Sequence, residues 1–250
     1  METVSLAVER KTLLSGVFCL VTLIAYQQWK GTGVRRYYAV ALIAFLLGAL
    51  SKAMAVSLPP ILLLYDYVFL GRPLRWLEKL PFAAIALAAS WAAVAGHAHH
   101  GVLAAPHGGT VLTHTLIVGR ATLEYVTSLF LPFDLAPVYY YPRSMLYDPL
   151  NFLAVALIAF VCLFVTISRR RYPWSFFCLW WFILMLLPES NVVPLAQLRA
   201  DRYLYLPSVG FALWRSGFDP MREAAERSRL PTNGILSIGQ GAFRAVPKNR

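Results

Sequence analysis

The residues with the most to explain are charged side chains set in apolar sequence. Lys52 stands between two hydrophobic runs, and a lysine in hydrocarbon costs about 2.5 to 3.5 kcal/mol on insertion scales, so it needs a partner or a water-filled cavity. Two readings stay open for it. Either it meets an anionic ligand, or it snorkels to the headgroups at a helix end. A denser polar group lies between residues 189 and 205, where Glu189, Asn191, Arg199, Asp201 and Arg202 are followed by Tyr203 and Tyr205. A guanidinium beside a carboxylate either binds phosphate in fork geometry or holds the acid in place. Tyrosines at this spacing also mark an interfacial belt. Glu2, Glu9, Arg10 and Lys11 precede the first apolar run and are expected on the same face. Asp66, among Leu62 to Tyr67, reads as a structural hydrogen-bond partner of a neighbouring helix.

Two further groups have weaker chemistry. His97, His99, His100, His107 and His114 fit no standard zinc spacing and lack accompanying thiols or carboxylates. No metal site is assigned to them. Tyr139, Tyr140 and Tyr141 read first as an interfacial anchor and second as a surface on which a sugar ring would stack. No Gly-rich phosphate loop or Ser/His/Asp arrangement is present, and the cofactor is left unassigned, a divalent metal staying compatible with the chain.

The elements that must position these residues follow from composition. Of 250 residues 58% are hydrophobic and 14% charged, against about 25% charged in soluble domains, with a mean hydropathy of +0.57. A soluble globular domain is excluded on that count, and an all-α, polytopic transmembrane bundle is expected. The formal charge of +11 is gathered in short clusters between apolar runs, as the positive-inside rule describes, so nucleic-acid binding is excluded as well. Cys19, Cys162 and Cys178 lie inside apolar runs and read as small buried hydrophobes.

Apolar runs fall at 12–29, 37–56, 57–70, 80–95, 111–131, 149–168, 173–188 and 203–214, which gives six or seven expected crossings. The clusters Lys30/Arg35/Arg36, Arg72/Arg75/Lys79 and Arg169/Arg170/Arg171 are placed together on the cytoplasmic side. Crossings between consecutive clusters must then be even in number. The 34 residues between Arg36 and Gly71 would make one helix of about 51 Å, too long for a hydrocarbon core of about 30 Å. A hairpin of two short helices is expected instead, its tip near Ser51 to Met54, its second helix broken early by Pro59 and Pro60. Lys52 then lies at the non-cytoplasmic end. Run 111–131 carries Arg120 and Glu124 at i, i+4 and ends at Pro132, which predicts an interfacial or re-entrant helix on the outer side; a hidden pair of crossings is the alternative. Residues 1–214 form the membrane region, and 215–250 a polar, basic tail expected to be disordered.

Four segments in this order, Glu9 to Gly16 (ERKTLLSG), Ser51 to Pro59 (SKAMAVSLP), Leu64 to Tyr67 (LYDY) and Ala200 to Pro207 (ADRYLYLP), resemble the membrane half of the transmembrane and tetratricopeptide repeat O-mannosyltransferases and their bacterial relatives. The resemblance runs from about residue 2 to residue 213. It implies a GT-C type glycosyltransferase, a multi-pass enzyme that takes a sugar from a polyprenyl-phosphate carrier and attaches it to a protein or glycan acceptor on the non-cytoplasmic face. In related enzymes a lysine near a short-helix tip meets the carrier phosphate, and Lys52 matches that position. Arg10, Arg202 and Tyr203 are the further substrate-binding candidates implied, with Glu9 and Asp201 as the candidate catalytic acids. The family pattern has proline where Ala53 stands, and it includes a preceding acidic loop and following repeats, so the resemblance implies a fragment whose principal acid lies elsewhere. Membrane lipids and the lipid-linked donor are the expected partners, and a bacterial inner membrane is preferred to an endoplasmic reticulum.

Two rival classes stay open. A lipid-linked sugar transporter or flippase would also want cations on membrane helices, although transporters commonly carry paired broken helices in internal repeats and only the Pro59-Pro60 break is visible here. A non-catalytic membrane remnant that binds carrier or partner without chemistry is the other.

Overall fold

The computed structural model describes residues 2–70, 75–99, 110–131, 139, 148–190 and 199–216. All regular structure among them is helical: α1 (Glu2–Thr32), α2 (Arg35–Ser51), α3 (Leu58–Tyr65), α4 (Leu80–His99), α5 (Val111–Phe130), α6 (Leu150–Ile167), α7 (Pro173–Leu186) and α8 (Pro207–Arg215), with short 3-10 turns between several of them. Three stretches are long and apolar enough to cross a membrane, Arg10–Thr32, Trp76–Gly96 and Leu150–Arg170, and two shorter apolar ones are Met54–Leu70 and Pro173–Glu189. Against the six or seven crossings expected, three of the described helical stretches are thus long and apolar enough to cross a membrane.

The first helix begins at Glu2, so Glu9, Arg10 and Lys11 are part of it and not a preceding segment. The α1 helix ends where Gly33 takes φ +71°, a conformation open to glycine without a Cβ penalty, and α2 folds back along α1. Small residues allow that contact. Ser15 donates a 3.2 Å hydrogen bond to the Gly48 carbonyl, and a Cβ on Gly48 would lie 3.3 Å from Phe18. The core of this half gathers Tyr26, Phe45, Met54, Leu58, Ile61, Leu62 and Phe82.

The chain breaks after α2 as expected, with Lys52 in extended conformation (φ −158°, ψ 139°) and a 3-10 turn over Ala53–Ser57. Pro59 and Pro60 do not interrupt a helix. They occupy the first turn of α3, where the missing amide hydrogen has no intrahelical partner to lose. The break belongs to Lys52 and the turn after it. Beyond α3 the backbone widens into a π-helix over Asp66–Leu70, a feature absent from the sequence reading.

Contacts define two ends of the molecule. At one, Lys30, Asp66, Glu78 and Lys79 meet, and Arg169 Nε donates to the Tyr67 hydroxyl at 2.9 Å, so members of all three basic clusters share this end. At the other end lie Lys52, Glu189 and Tyr203.

The α5 helix starts with a capping box at Thr110 and Thr113. It packs along α6, with Gly119 against Val155. Its last residues, Val126, Leu129 and Phe130, share an apolar cavity of about 250 Å³ with Val161 and Val165 of α6 and Phe211 of α8. Since Val161 lies eleven residues into α6, about 16 Å along its axis, α5 descends beside α6, and Tyr139 is back at the Lys52 end. Residues 217–250, with the expected tail, lie outside the described residues.

Candidate functional site

The polar group at the Lys52 end is built on breaks in helices. Lys52 caps α2 and has no backbone helix to follow, so its side chain turns toward α7, where Nζ stands 2.9 Å from Glu189 Oε1 and 5.6 Å from the centre of the Tyr203 ring. Glu189 ends the 3-10 turn that closes α7. Both side chains are mostly covered, 22% and 12% exposed. Lys52 thus has a carboxylate of its own chain as ion-pair partner.

Asp201, Arg202 and Tyr203 lie together on a 3-10 turn, Asp201–Leu204. Tyr139 donates its hydroxyl to the two oxygens of the Asp201 carboxylate at 3.1 and 3.0 Å. The Arg202 guanidinium lies 5.3 Å from the Tyr203 ring. The structure thus brings Lys52, Tyr203, Arg202 and Asp201 into one neighbourhood. Arg10 is exposed on α1. It sits about one and a half turns beyond Gly16, whose close approach to Tyr205 sets α1 beside this segment. The side chain of Glu9, together with Asn191, Tyr140, Tyr141, His100 and His107, lies outside the described residues.

Beneath the site is a network that the sequence reading left out of the candidate set. Arg199, buried at 7% exposure, donates from Nη1 to Glu124 at 2.9 Å and from Nη2 to Ser128 at 2.7 Å, and its guanidinium stacks 3.7 Å from the centre of the Tyr139 ring. Glu124 also accepts from Arg120 Nε at 3.1 Å, the i, i+4 pair expected on α5. Arg120 Nη1 reaches Asp148 at 2.7 Å. The Tyr125 hydroxyl accepts from the Ala200 amide at 3.0 Å and donates to the Ala200 carbonyl at 3.3 Å. These bonds tie α5 to residues 199–203 and, through Tyr139, fix the orientation of Asp201. The charged pair in an otherwise apolar run was the available signal for Glu124; nothing local signalled Tyr125.

At the opposite end Asp66, 4% exposed, accepts from the Tyr26 hydroxyl at 3.1 and 2.9 Å and pairs with Lys79. The structural hydrogen bond expected for Asp66 is present, with an ion pair added. Among the described residues no cluster of His, Cys, Asp and Glu converges to hold a metal ion. Comparison with models of known protein families, with curated proteins and with solved structures gives no match to this chain.

Proposed function

We propose that this chain is the membrane region of a GT-C type glycosyltransferase that binds a polyprenyl-phosphate-linked sugar at the Lys52 end and transfers the sugar to a protein or glycan acceptor. The helices are read as a polytopic bundle in a bacterial inner membrane, the Lys30 end cytoplasmic because it carries the basic clusters. One observation carries the reading: a lysine at a broken helix tip is held mostly covered beside Tyr203, Arg202 and Asp201, at the end away from those clusters.

In this reading Lys52 and Arg202 receive the oxygens of the donor phosphate, with Arg10 approaching from α1 and Tyr203 packing against the sugar or the lipid linkage. Asp201, oriented by Tyr139, is the carboxylate placed here to accept the proton of an acceptor hydroxyl, in the stead of the acid that the family carries on its preceding loop. The hydroxyl oxygen bonds to the anomeric carbon as the bond from that carbon to the phosphate oxygen breaks, and the electron pair leaves with the polyprenyl phosphate, whose charge the cations stabilise. Glu9 is the second acid, on α1. Glu189 keeps Lys52 in place before the donor arrives and must yield part of its ion pair when it does.

The test is binding of a short polyprenyl-phosphate sugar to detergent-purified protein, comparing wild type with Lys52→Ala and Lys52→Arg. Loss of at least about 1.5 kcal/mol on Lys52→Ala, the size of a hydrogen bond to a charged group, supports the reading. Equal binding by both proteins, or binding by neither, removes it.

A further inference from the structure

The Lys30 end holds a cavity of about 260 Å³ that the proposed chemistry does not use, lined by Trp29, Lys30, Gly33, Asp66, Leu70, Arg75 and Glu78. Its size falls just under the range of whole-cofactor pockets, about 300 to 1,000 Å³, and suits a group of headgroup dimensions. Two features set it apart from a salt bridge that only closes the fold. The wall carrying Asp66 and Leu70 is the π-helix Asp66–Leu70; such wide turns are rare and concentrate at functional sites. Among the described residues, the charges of the cavity lining taken together with Lys79, which pairs with Asp66 from behind it, do not balance. Lys30 and Lys79 match Asp66 and Glu78, whereas Arg75, 73% exposed, touches Glu78 only at 3.4 Å and is a surplus cation at the cavity mouth.

We propose that this cavity binds a phosphate ester, with Arg75 and Lys30 donating hydrogen bonds to its phosphate oxygens. Arg75 presents a planar fork suited to phosphate oxygens. Lys30, 13% exposed and already positioned by Glu78 and Asp66, adds a fixed ammonium without fresh ordering of its long side chain. Trp29 and Leu70 supply apolar wall on which a glycerol or acyl linkage rests, and Glu78 is placed to accept a hydroxyl or ammonium hydrogen of the same headgroup. A phospholipid headgroup and a soluble phosphate monoester share this chemistry. The site stands independently of the glycosyltransferase reading, because none of its residues lies at the Lys52 end.

The experiment titrates detergent-purified full chain with short-chain phosphatidylglycerol below its critical micelle concentration, with glycerol 3-phosphate, and with the matching diacylglycerol, by calorimetry. Arg75→Gln is compared with Arg36→Gln, an exposed arginine of the same end outside the cavity, so that the change in net charge is equal. Arg75→Gln should weaken binding about ten-fold while Arg36→Gln leaves it within two-fold. Binding of phosphatidylglycerol alone assigns the source as a lipid headgroup, and equal binding of glycerol 3-phosphate assigns a soluble ester; either supports the site. Binding of diacylglycerol as tight as that of phosphatidylglycerol, equal loss in the two variants, or no binding of either phosphate overturns it.

Discussion

Lys52 and Glu189 meet at 2.9 Å although they come from the first and last thirds of the chain, and their pair joins the broken tip after α2 to the end of α7. Removing one member of a buried pair strands the other charge, at a cost of 3–5 kcal/mol when burial is complete. These side chains retain 22% and 12% exposure, and solvent screening reduces the figure. Glu189→Gln should therefore destabilise by about 1 to 2 kcal/mol in thermal unfolding in detergent. A double-mutant cycle with Lys52→Met should return a coupling of about 1 kcal/mol; additive single effects would dissolve the pair as an energetic unit. In donor binding the same Glu189→Gln change should tighten affinity, because Lys52 then has no carboxylate to leave.

Asp66 anchors the opposite end and is more deeply covered. Its carboxylate faces Lys79, whose side chain is 4% exposed, with Lys30 3.5 Å away and the Tyr26 hydroxyl donating to it. Asp66→Ala leaves a buried ammonium with only Glu78 nearby at 3.8 Å, and a loss of about 3 kcal/mol is expected. Adding Lys79→Met should recover a large part of it, since the stranded charge and not the missing contact dominates. Equal stability of the single and double variants would refute that ordering of causes.

Asp148 gives a pH signature. The amide of Leu150 donates to its carboxylate at 2.9 Å, and Arg120 pairs with it, so its carboxyl is held below the ordinary aspartate range. A carboxyl depressed in the folded state contributes stability that is complete above the unfolded value, about 3.9, and disappears as pH falls through the lower folded value. Melting temperatures recorded from pH 7 downward should hold level for this contribution until about pH 4 and then fall. Asp148→Asn should lower the plateau and flatten the acid limb. An unchanged acid limb in that variant would mean that other carboxylates govern it.

How much of this was legible beforehand divides along the type of interaction. Lys52, the three basic clusters and the 34-residue gap between Arg36 and Gly71 obey constraints of charge and length that act on the sequence itself, so the two ends of the molecule could be assigned from them. The identity of Lys52's partner could not, because Glu189 is brought to it by the long-range packing of α3 and of the 3-10 turn before it against the end of α7. Pro59 and Pro60 were located correctly as a boundary and misread in kind: proline is compatible with the first turn of a helix as well as with its end, and only the backbone at Lys52 decides between them. The Arg199–Glu124–Arg120–Asp148 chain was missed for a related reason. Its local half, Arg120 with Glu124, was visible at i, i+4, while its long-range half depends on α5 running beside α6 and meeting the segment at 199.

Gly210 tests whether the α7–α8 contact is as close as the geometry requires. A Cβ there would lie 2.7 Å from Trp181 Cδ1 and 2.8 Å from the Cys178 carbonyl oxygen. Small residues at helix contacts of this kind let backbones approach. Backbone oxygen cannot step aside, and the Trp181 indole is tied by its 3.0 Å hydrogen bond to the Leu206 carbonyl, so α8 itself must move. Gly210→Ala should cost about 1 to 3 kcal/mol, the range for overpacking. Gly31→Ala is the control. It lies near the end of α1 with nothing within 4 Å of its added Cβ, and there alanine should be neutral or stabilise by up to about 1 kcal/mol. Opposite signs for the two variants in thermal unfolding are expected; a Gly210→Ala protein that melts with or above wild type would mean that α7 and α8 do not approach this closely.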